Sequence, residues 1–277
     1  MNFSTILAPT DFSLISRNAI NYAVEYAVKS NSKLVLFHVY QVPLVNAEVP
    51  ISLISLEEME QLALQEMFRI KHDIELKYGE NVKIECKCKC GFAVEEINLF
   101  AKENKIDLII MGMQGGGYMI ERLMGSTTTS LIKKSTCPVL TIHQNVKFKN
   151  ISKIVLASDF LEMDNNSILN TLKKLLKTFN AHLCILNVVP ELETVNTIDS
   201  ISETIKMKDS LKGFDYTFHK TENTDVIEGI DNFIFEQKAD LIVMIPRIHS
   251  WFNTLFHESN TTRMVFHAQI PILALHE

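Results

Sequence analysis

The chain repeats itself, and this repeat constrains its fold more than any other feature of the sequence. The 37 residues from Asp107 to His143 align without a gap with those from Asp240 to His276, and ten of the pairs are identical. NFSTILAPTDFS, which begins at Asn2, aligns likewise with NISKIVLASDFL, which begins at Asn150. A tandem duplication of this kind predicts two similar structural units in one chain.

Within each repeat, short runs rich in β-branched residues alternate with segments of helical periodicity. In the first repeat the runs are TILAP, KLVLFHVY, VKIECKC, DLIIM and PVLTI, and such runs favour strands. Strands that alternate with helices form parallel sheets covered on both faces. We therefore predict an α/β fold of two tandem, doubly wound, Rossmann-like domains, each with a parallel five-stranded sheet. They span residues 1–145 and 150–277, and QNVKFKN at residues 144–150 joins them.

Helix starts in the first repeat carry recognisable capping residues. Ser13 precedes a helical period and is a typical N-cap. Ser55 and Glu58 form a capping box at the start of a second helix, and Gly79 stands just past its end. The sequence therefore predicts two helices of the first repeat together with their ends.

The composition argues against several functional classes. The chain has 27 Lys and Arg against 33 Asp and Glu, a net charge of −6, whereas nucleic-acid and anionic-membrane binders need a basic surface. No apolar run reaches membrane-spanning length. MNFSTILAPTDF does not have the pattern of a signal peptide, because Pro9 and Asp11 interrupt its apolar run. We expect a cytoplasmic protein with no nucleic-acid or membrane partner.

Three cysteines, Cys86, Cys88 and Cys90, alternate with charged residues in KIECKCKCG. On a strand their side chains share one face. They could bind a soft metal, but same-face positions of one strand lie roughly 6.6 Å apart and hold tetrahedral ligands poorly. We therefore interpret them as small apolar groups on a buried face. The histidines of the second repeat also lack a recognised zinc spacing, and we predict no metal site.

One segment of the first repeat, MGMQGGGYMIERLMGSTTTS, holds most of the glycine in the chain. Five of the nine glycines lie between Gly112 and Gly125, after the apolar strand DLIIM and before a run of hydroxyl residues. Ligands of open α/β sheets bind at the carboxyl ends of the strands. Glycine permits positive φ and close approach of the backbone, and a helix N-terminus attracts phosphate. The spacing is neither a P-loop nor GxGxxG, and it predicts two anion-binding turns suited to a polyphosphate.

The spacing G-x2-G-x9-G-S/T, formed by Gly112, Gly115, Gly125 and Ser126, resembles the ATP-binding branch of the universal stress protein family. APTDFS, FHVY, DLIIMG, ERLMGS and CPVLTI extend the resemblance, which covers both repeats. It implies an adenine nucleotide alpha hydrolase-like fold, an ATP ligand with or without Mg²⁺, and a regulatory role in stress tolerance. It also implies that the strands PVLTI and PILAL lie close together in an internal pseudo-dimer. A homodimer of the whole chain stays open.

The resemblance implies ten nucleotide contacts, grouped by the part of the ligand that they touch. They are Pro9, Thr10 and Asp11 at the ribose and adenine, Val39 at the adenine, Gly112, Met113 and Gly115 at the ribose and triphosphate, and Gly125, Ser126 and Thr127 at the phosphates. The residues alone allow a second interpretation of Asp11 and Ser126, because either could be an ordinary helix cap.

The second repeat departs from this pattern at its glycine positions. Ile245, Ile248 and Glu258 replace the three glycines, and Pro246 removes a backbone donor. β-Branched residues disfavour positive φ, and a carboxylate repels phosphate. We therefore expect the second nucleotide site to be inactive, although Ser259 persists at the position of Ser126.

The sequence does not place a carboxylate or histidine to activate water, so we predict no catalytic residue. The leading hypothesis is an ATP-binding regulatory protein. A slow ATPase or autophosphorylating enzyme that uses Ser126, Thr127 or Thr128 is the first alternative, and a nucleotide-free scaffold is the second. The long apolar loop at residues 41–55 could cover the nucleotide or form a contact surface.

Overall fold

The structure, a computed structural model, describes residues 3–41, 55–113, 126–158, 166–189, 207–245 and 270–276. Strands and helices alternate through these ranges, as predicted. The strands are β1 (Thr5–Thr10), β2 (Lys33–Tyr40), β3 (Lys83–Cys90), β4 (Leu108–Met113), β5 (Val139–His143), β6 (Lys153–Ala157), β7 (His182–Val189), β8 (Tyr216–Glu222), β9 (Leu241–Met244) and β10 (Ile272–Ala274). The helices are α1 (Leu14–Ser30), α2 (Leu56–Tyr78), α3 (Ala93–Glu103), α4 (Ser126–Lys134), α5 (Asn166–Phe179) and α6 (Val226–Gln237).

The predicted caps of α1 and α2 are confirmed. The Ser13 hydroxyl accepts a hydrogen bond from the backbone N–H of Ser16. Ser55 and Glu58 form the reciprocal capping box of α2, and Gly79 follows the helix with a φ of 58°. These local bonds satisfy N-terminal donors that have no partner within a helix.

The ten strands form one sheet in the order β3-β2-β1-β4-β5-β10-β9-β6-β7-β8. Each repeat contributes five parallel strands in the same spatial order, third-second-first-fourth-fifth. The repeats meet where β5 pairs with β10, and this is an antiparallel pairing in which Leu140 stands opposite Leu273. The Thr141 hydroxyl also donates to the carbonyl of Ile272 at 3.3 Å across this junction. The prediction of two doubly wound five-stranded sheets is confirmed, and the sheets are joined edge to edge.

Helices cover both faces of the sheet and bury a hydrophobic core on each. One core contains residues of α1, α2 and α5, and the other contains residues of α3, α4 and α6. Each core runs through both repeats: Ile6 and Ile154 belong to the first, and Leu7 and Val155 to the second. The repeats therefore share one hydrophobic interior.

An aromatic cluster packs the two repeats together beneath α1 and α5. Tyr26 of α1 lies with its ring centroid 5.1 Å from that of Phe179 of α5, at an interplanar angle of 71°. Phe3 contributes a third ring, 6.1 Å from Tyr26. The Tyr26 ring and hydroxyl are fully buried. Edge-to-face pairs of this geometry add to the stabilisation that comes from burial alone.

The segment predicted as the joint packs against the first repeat. Phe148 inserts into the aromatic cluster, 5.1 Å from the ring of Tyr22. The Asn18 amide donates to the carbonyls of His143 and Val146 at 3.2 and 2.9 Å. The segment is therefore a packed element whose course is fixed by α1.

Asp107 links the start of β4 to the start of β1. Its Oδ2 accepts the backbone N–H groups of Ser4 and Thr5 at 2.8 and 3.2 Å, and its Oδ1 accepts from Lys174 of α5 at 2.7 Å. Burial raises the pKa of Asp107, but the hydrogen bonds from Lys174 and Ser4 outweigh it and hold the pKa below its ordinary value. Because Lys174 lies in the second repeat, this carboxylate also joins the repeats.

Asp240 links the start of β9 to the start of β6 in the second repeat, as Asp107 links β4 to β1 in the first. Its Oδ2 accepts the backbone N–H groups of Ser152 and Lys153 at 2.8 and 3.0 Å, and its Oδ1 lies 2.7 Å from Lys149 Nζ. Burial raises the pKa of Asp240, and the bonds from Lys149 and Ser152 lower it below its ordinary value. The identity of Asp107 and Asp240 in the repeat alignment thus has a structural cause.

A second pair of equivalent positions differs in charge. Asn98 is the sixth residue of α3 and Asp231 the sixth of α6, and in the described part of the chain the Oδ1 atom of each is buried without a hydrogen-bond partner. Burial, together with the nearby Asp225, raises the pKa of Asp231 to about 7.

We expect Asp231→Asn, which copies Asn98, to raise the free energy of unfolding by about 1–2 kcal/mol at pH 8, after allowance for solvent screening of a partly buried group. The folded state binds the proton more tightly than the unfolded state, so the carboxylate costs stability as pH rises from about 4 to 7. Urea unfolding at pH 4 and pH 8 measures this difference. Equal effects of the substitution at both pH values would contradict it.

β3 holds two of its three cysteines half-buried against α2. The Cys86 thiol donates to the carbonyl of Met67 at 3.7 Å, whereas Cys90, at the strand end, is exposed. The prediction of a buried face is correct for Cys86 and Cys88 and wrong for Cys90. Burial raises the pKa of Cys86 and Cys88 to about 11, so both thiols are protonated at neutral pH.

The described ranges contain no helix that combines the length and the apolar character needed to cross a bilayer. Within the same ranges, no three His, Cys, Asp or Glu side chains are grouped so that they could hold a metal ion.

Candidate functional site

The carboxyl ends of β1 and β4 lie side by side at one open end of the sheet. β1 pairs with β2 on one side and with β4 on the other, so the chain order reverses at this point. The β1–β4 pairing ends at Leu7 and Ile109, so Thr10 and Gly112 each lie three residues beyond the last pair of their own strand. Ligands of open α/β sheets bind at such a switch point.

The turn between β1 and α1 is fixed by hydrogen bonds that converge on Thr10. Its buried hydroxyl accepts the backbone N–H of Phe12 at 3.0 Å and lies 3.1 Å from the Ser16 hydroxyl. Phe12 has a φ of 65°, which is uncommon for a residue with a side chain. Residues held in such conformations cluster at functional sites. Pro9, the residue before Thr10, is buried in β1 opposite Phe37.

Asp11 lies exposed on this turn. Its Oδ1 accepts the backbone N–H of Ser13 at 3.0 Å, so it shapes the turn, while Ser13 itself caps the helix. Burial raises the pKa of Asp11, but hydrogen bonds from Ser13 and Ser16 outweigh this effect and lower it. The site therefore carries an ionised carboxylate at its rim.

His38 holds the turn from the neighbouring strand, a role that its position in the sequence does not reveal. Its Nδ1 donates to the carbonyl of Thr10 at 2.7 Å, and its ring lies 4.4 Å from the ring of Phe12. Ser16 was missed as well, although the S-x-x-S spacing after Asp11 was a usable signal. Val39 is one residue beyond the last β1–β2 pair and is partly buried, so its backbone lies at the open end of the sheet.

Gly112 is needed for close packing, and positive φ is not the reason. Its φ lies outside the left-handed region, so the prediction based on backbone freedom is wrong at this position. A Cβ here would lie 2.7 Å from Ile15 Cγ2 and 2.8 Å from the carbonyl oxygen of Ile15. Glycine therefore lets the first turn of α1 approach the end of β4. Met113, the next residue, is buried.

The N-terminus of α4 lies beside the end of β4. Ser126 is exposed at the first position of the helix, and Thr127 is partly buried. The buried Thr128 hydroxyl donates to the carbonyl of Gly112 at 3.1 Å, which anchors α4 to β4. The positive end of the α4 dipole thus faces the region beside Gly112.

The remaining predicted contacts, Gly115 and Gly125, lie outside the described residues, as do Ile248, Glu258 and Ser259 of the second repeat and the loop of residues 42–54. Ile245 stands at the position of Gly112 and has a buried side chain in the core on the α1 face. This position of the second repeat is therefore filled by an apolar side chain.

The sequence profile of the universal stress protein family matches residues 2–143. Universal stress protein MJ0531 of Methanocaldococcus jannaschii is 33% identical over 150 residues, which cover 52% of this chain and 85% of that protein. Universal stress protein MJ0577 of the same organism is 30% identical over 158 residues, with 51% and 96% covered. A crystal structure of a universal stress protein from Archaeoglobus fulgidus has a TM-score of 0.73 at 18% identity and covers 98% of both chains. These two relatives match about half of this chain, and the solved structure shows the fold over nearly all of it.

Proposed function

This chain belongs to the universal stress protein family, and on that premise we propose that it is an ATP-binding regulatory protein. The first repeat, residues 1–145, holds the nucleotide, and the second, residues 150–277, has an inactive site. The observation that carries the proposal is the convergence of the β1–α1 turn, the end of β4 and the N-terminus of α4 at one switch point.

The described residues suit the successive parts of ATP. The ionised Asp11 is a strong acceptor for ribose hydroxyls, and the backbone of Val39 is available to the adenine edge. Gly112 lets the first turn of α1, and with it the β1–α1 turn, lie close to the end of β4. The exposed Ser126 hydroxyl and the first N–H groups of α4 are donors for phosphate.

The remaining assignments follow the family pattern. Pro9 and Thr10 form the wall beside Asp11, and Met113 and Gly115 continue the surface along the triphosphate. Gly125 and Thr127 flank Ser126 at the phosphates. Thr128 is not a candidate phosphate acceptor, because its hydroxyl is buried and bonded to Gly112. The exposed hydroxyl of Ser126 keeps autophosphorylation as the second candidate function.

We further propose that the two repeats act as an internal pseudo-dimer. The antiparallel pairing of β5 with β10 and the shared cores support this arrangement. Sedimentation analysis of the whole chain distinguishes a monomer from a homodimer of such pseudo-dimers.

Ser126→Asp is expected to weaken ATP binding at least about tenfold, or roughly 1.4 kcal/mol, because a carboxylate would face the phosphates. The variant should fold normally, since an acidic residue at a helix N-terminus is favourable. The matched control is Ser259→Asp in the second repeat, which should bind ATP like the unmodified chain. Isothermal titration calorimetry with and without Mg²⁺ measures affinity and stoichiometry.

The outcomes of this titration separate the alternatives. One ATP per chain, weakened only by Ser126→Asp, supports the proposal. Two ATP per chain would overturn the inactive second site. A folded chain that binds no ATP would make it a nucleotide-free scaffold, and steady phosphate release or labelled Ser126 would make it an enzyme.

A further inference from the structure

Four side chains form a hydrogen-bonded relay between β7 and β8, at the opposite ends of the strands from the second repeat's inactive site. Asp215 Oδ2 lies 2.9 Å from His182 Nδ1, and His182 Nε2 lies 2.9 Å from the Thr217 hydroxyl. The same hydroxyl lies 2.8 Å from His219 Nε2. We call Asp215, His182, Thr217 and His219 the β8 relay.

With both rings neutral, one assignment of protons satisfies every member of the relay. His182 donates from Nδ1 to Asp215 and accepts at Nε2 from the Thr217 hydroxyl, which in turn accepts from His219 Nε2–H. Each histidine then uses one tautomer, as a neutral imidazole must. If both rings carry a proton on each nitrogen, the Thr217 hydroxyl can still accept from both, but two cations then point at one oxygen, and like charges this close repel each other.

The first repeat has a cluster of two lysines and a glutamate at the equivalent positions. The strand registers place Glu85 of β3 opposite Val35 and Thr217 of β8 opposite Cys184, which are equivalent residues of the repeat. Glu85 forms ion pairs with Lys33 on one side and Lys87, at 3.2 Å, on the other. Two cations thus flank a carboxylate in β3, where two histidines flank a neutral hydroxyl in β8.

The surroundings of the relay offer one negative charge and one further positive charge. The groups that face it from packed elements are Lys153 of β6, Cys184 of β7 and Phe233 of α6, and Lys153 also donates to Gln237 of α6. Asp215 can neutralise His182, but His219 lies against the Phe233 ring and within the influence of Lys153. Burial, followed by the nearby His182 and Lys153, lowers the pKa of His219.

We propose that the β8 relay is an acid-sensitive latch that holds β8 to the sheet at neutral pH and releases it in mild acid. β8 is a terminal strand with β7 as its only neighbour in the described sheet. The bonds between these two strands therefore determine how well the β8 amides are protected from hydrogen exchange. His219 binds a proton more readily in the unfolded chain than in the folded one. Its contribution to the stability of β8 is therefore present above about pH 6.5 and declines as pH falls below that value. β3, the opposite terminal strand, has no histidine in its Lys–Glu–Lys cluster and is therefore the internal control.

Amide hydrogen exchange of residues 216–222 and 83–90 at pH 7.5 and 5.5, corrected for the intrinsic rate, tests the latch. Protection of β8 should fall about tenfold on acidification because two like charges come to face one acceptor, while that of β3 should change less than about twofold. Equal changes in both strands, or no change in β8, would overturn the proposal.

Two variants make the test specific. Thr217→Glu installs the central carboxylate of β3, and His219→Gln keeps a donor without the charge, so each should remove most of the acid-induced loss. The reciprocal triple variant K33H/E85T/K87H should make β3 acid-sensitive. An acid-induced loss that persists undiminished in both Thr217→Glu and His219→Gln would assign it to another group and reject the latch.

Discussion

Replacing Tyr26 with alanine is expected to lower the free energy of unfolding by about 3–5 kcal/mol. The side chain is fully buried and packs edge to face with Phe179 of the second repeat. Its loss therefore opens a cavity between the repeats as well as within the first. Urea unfolding followed by circular dichroism measures the change, and a loss below about 1 kcal/mol would contradict it.

Tyr26→Phe is the matched control and should have the opposite sign. The Tyr26 hydroxyl is buried and, among the described residues, has no hydrogen-bond partner. Removing an unpaired buried hydroxyl relieves its desolvation cost while the ring contacts stay, so we expect a gain of about 1 kcal/mol. A loss of stability would reveal a partner for the hydroxyl, such as a buried water.

Asp240→Ala is expected to cost about 2–3 kcal/mol at pH 7. The carboxylate is 9% exposed and accepts two backbone N–H groups at the start of β6, besides its ion pair with Lys149. The substitution leaves these donors and the ammonium without their acceptor. Thermal and urea unfolding of the variant beside the unmodified chain measure the effect.

The equivalent substitution Asp107→Ala should cost less, because Asp107 is 21% exposed and its bond to Ser4 is open to water. The pKa of each carboxyl is held low in the folded state. Each contribution is therefore present above the ordinary pKa near 3.8 and is lost as pH falls through the lowered value. The cost of either substitution should shrink at pH 3, and a constant cost would point to packing as its cause.

Local chemistry made much of the first repeat predictable. Ser13 and the pair Ser55–Glu58 identify helix starts because capping depends on residues within one turn. The apolar run DLIIM is a central strand because a parallel sheet is buried on both faces. The candidate site at the end of β4 follows from a different rule, that ligands of open α/β sheets bind at the carboxyl ends of the strands.

Contacts between distant segments were not predictable in the same way. The role of Gly112 depends on how closely Ile15 approaches it across the turn, and a glycine in the sequence does not reveal what lies opposite. His38 bonds to Thr10 over 28 residues, and Lys174 bonds to Asp107 over 67. Such pairs are set by strand register and helix packing, which the repeat alone does not specify.

The antiparallel pairing of β5 with β10 gives the molecule two poles. Because each repeat is internally parallel, the carboxyl ends of the first five strands and of the last five face opposite directions. A symmetric dimer of single repeats would present the same ligand at both poles. Duplication within one chain lets the two poles carry different residues, as Gly112 and Ile245 do, while one continuous sheet joins them.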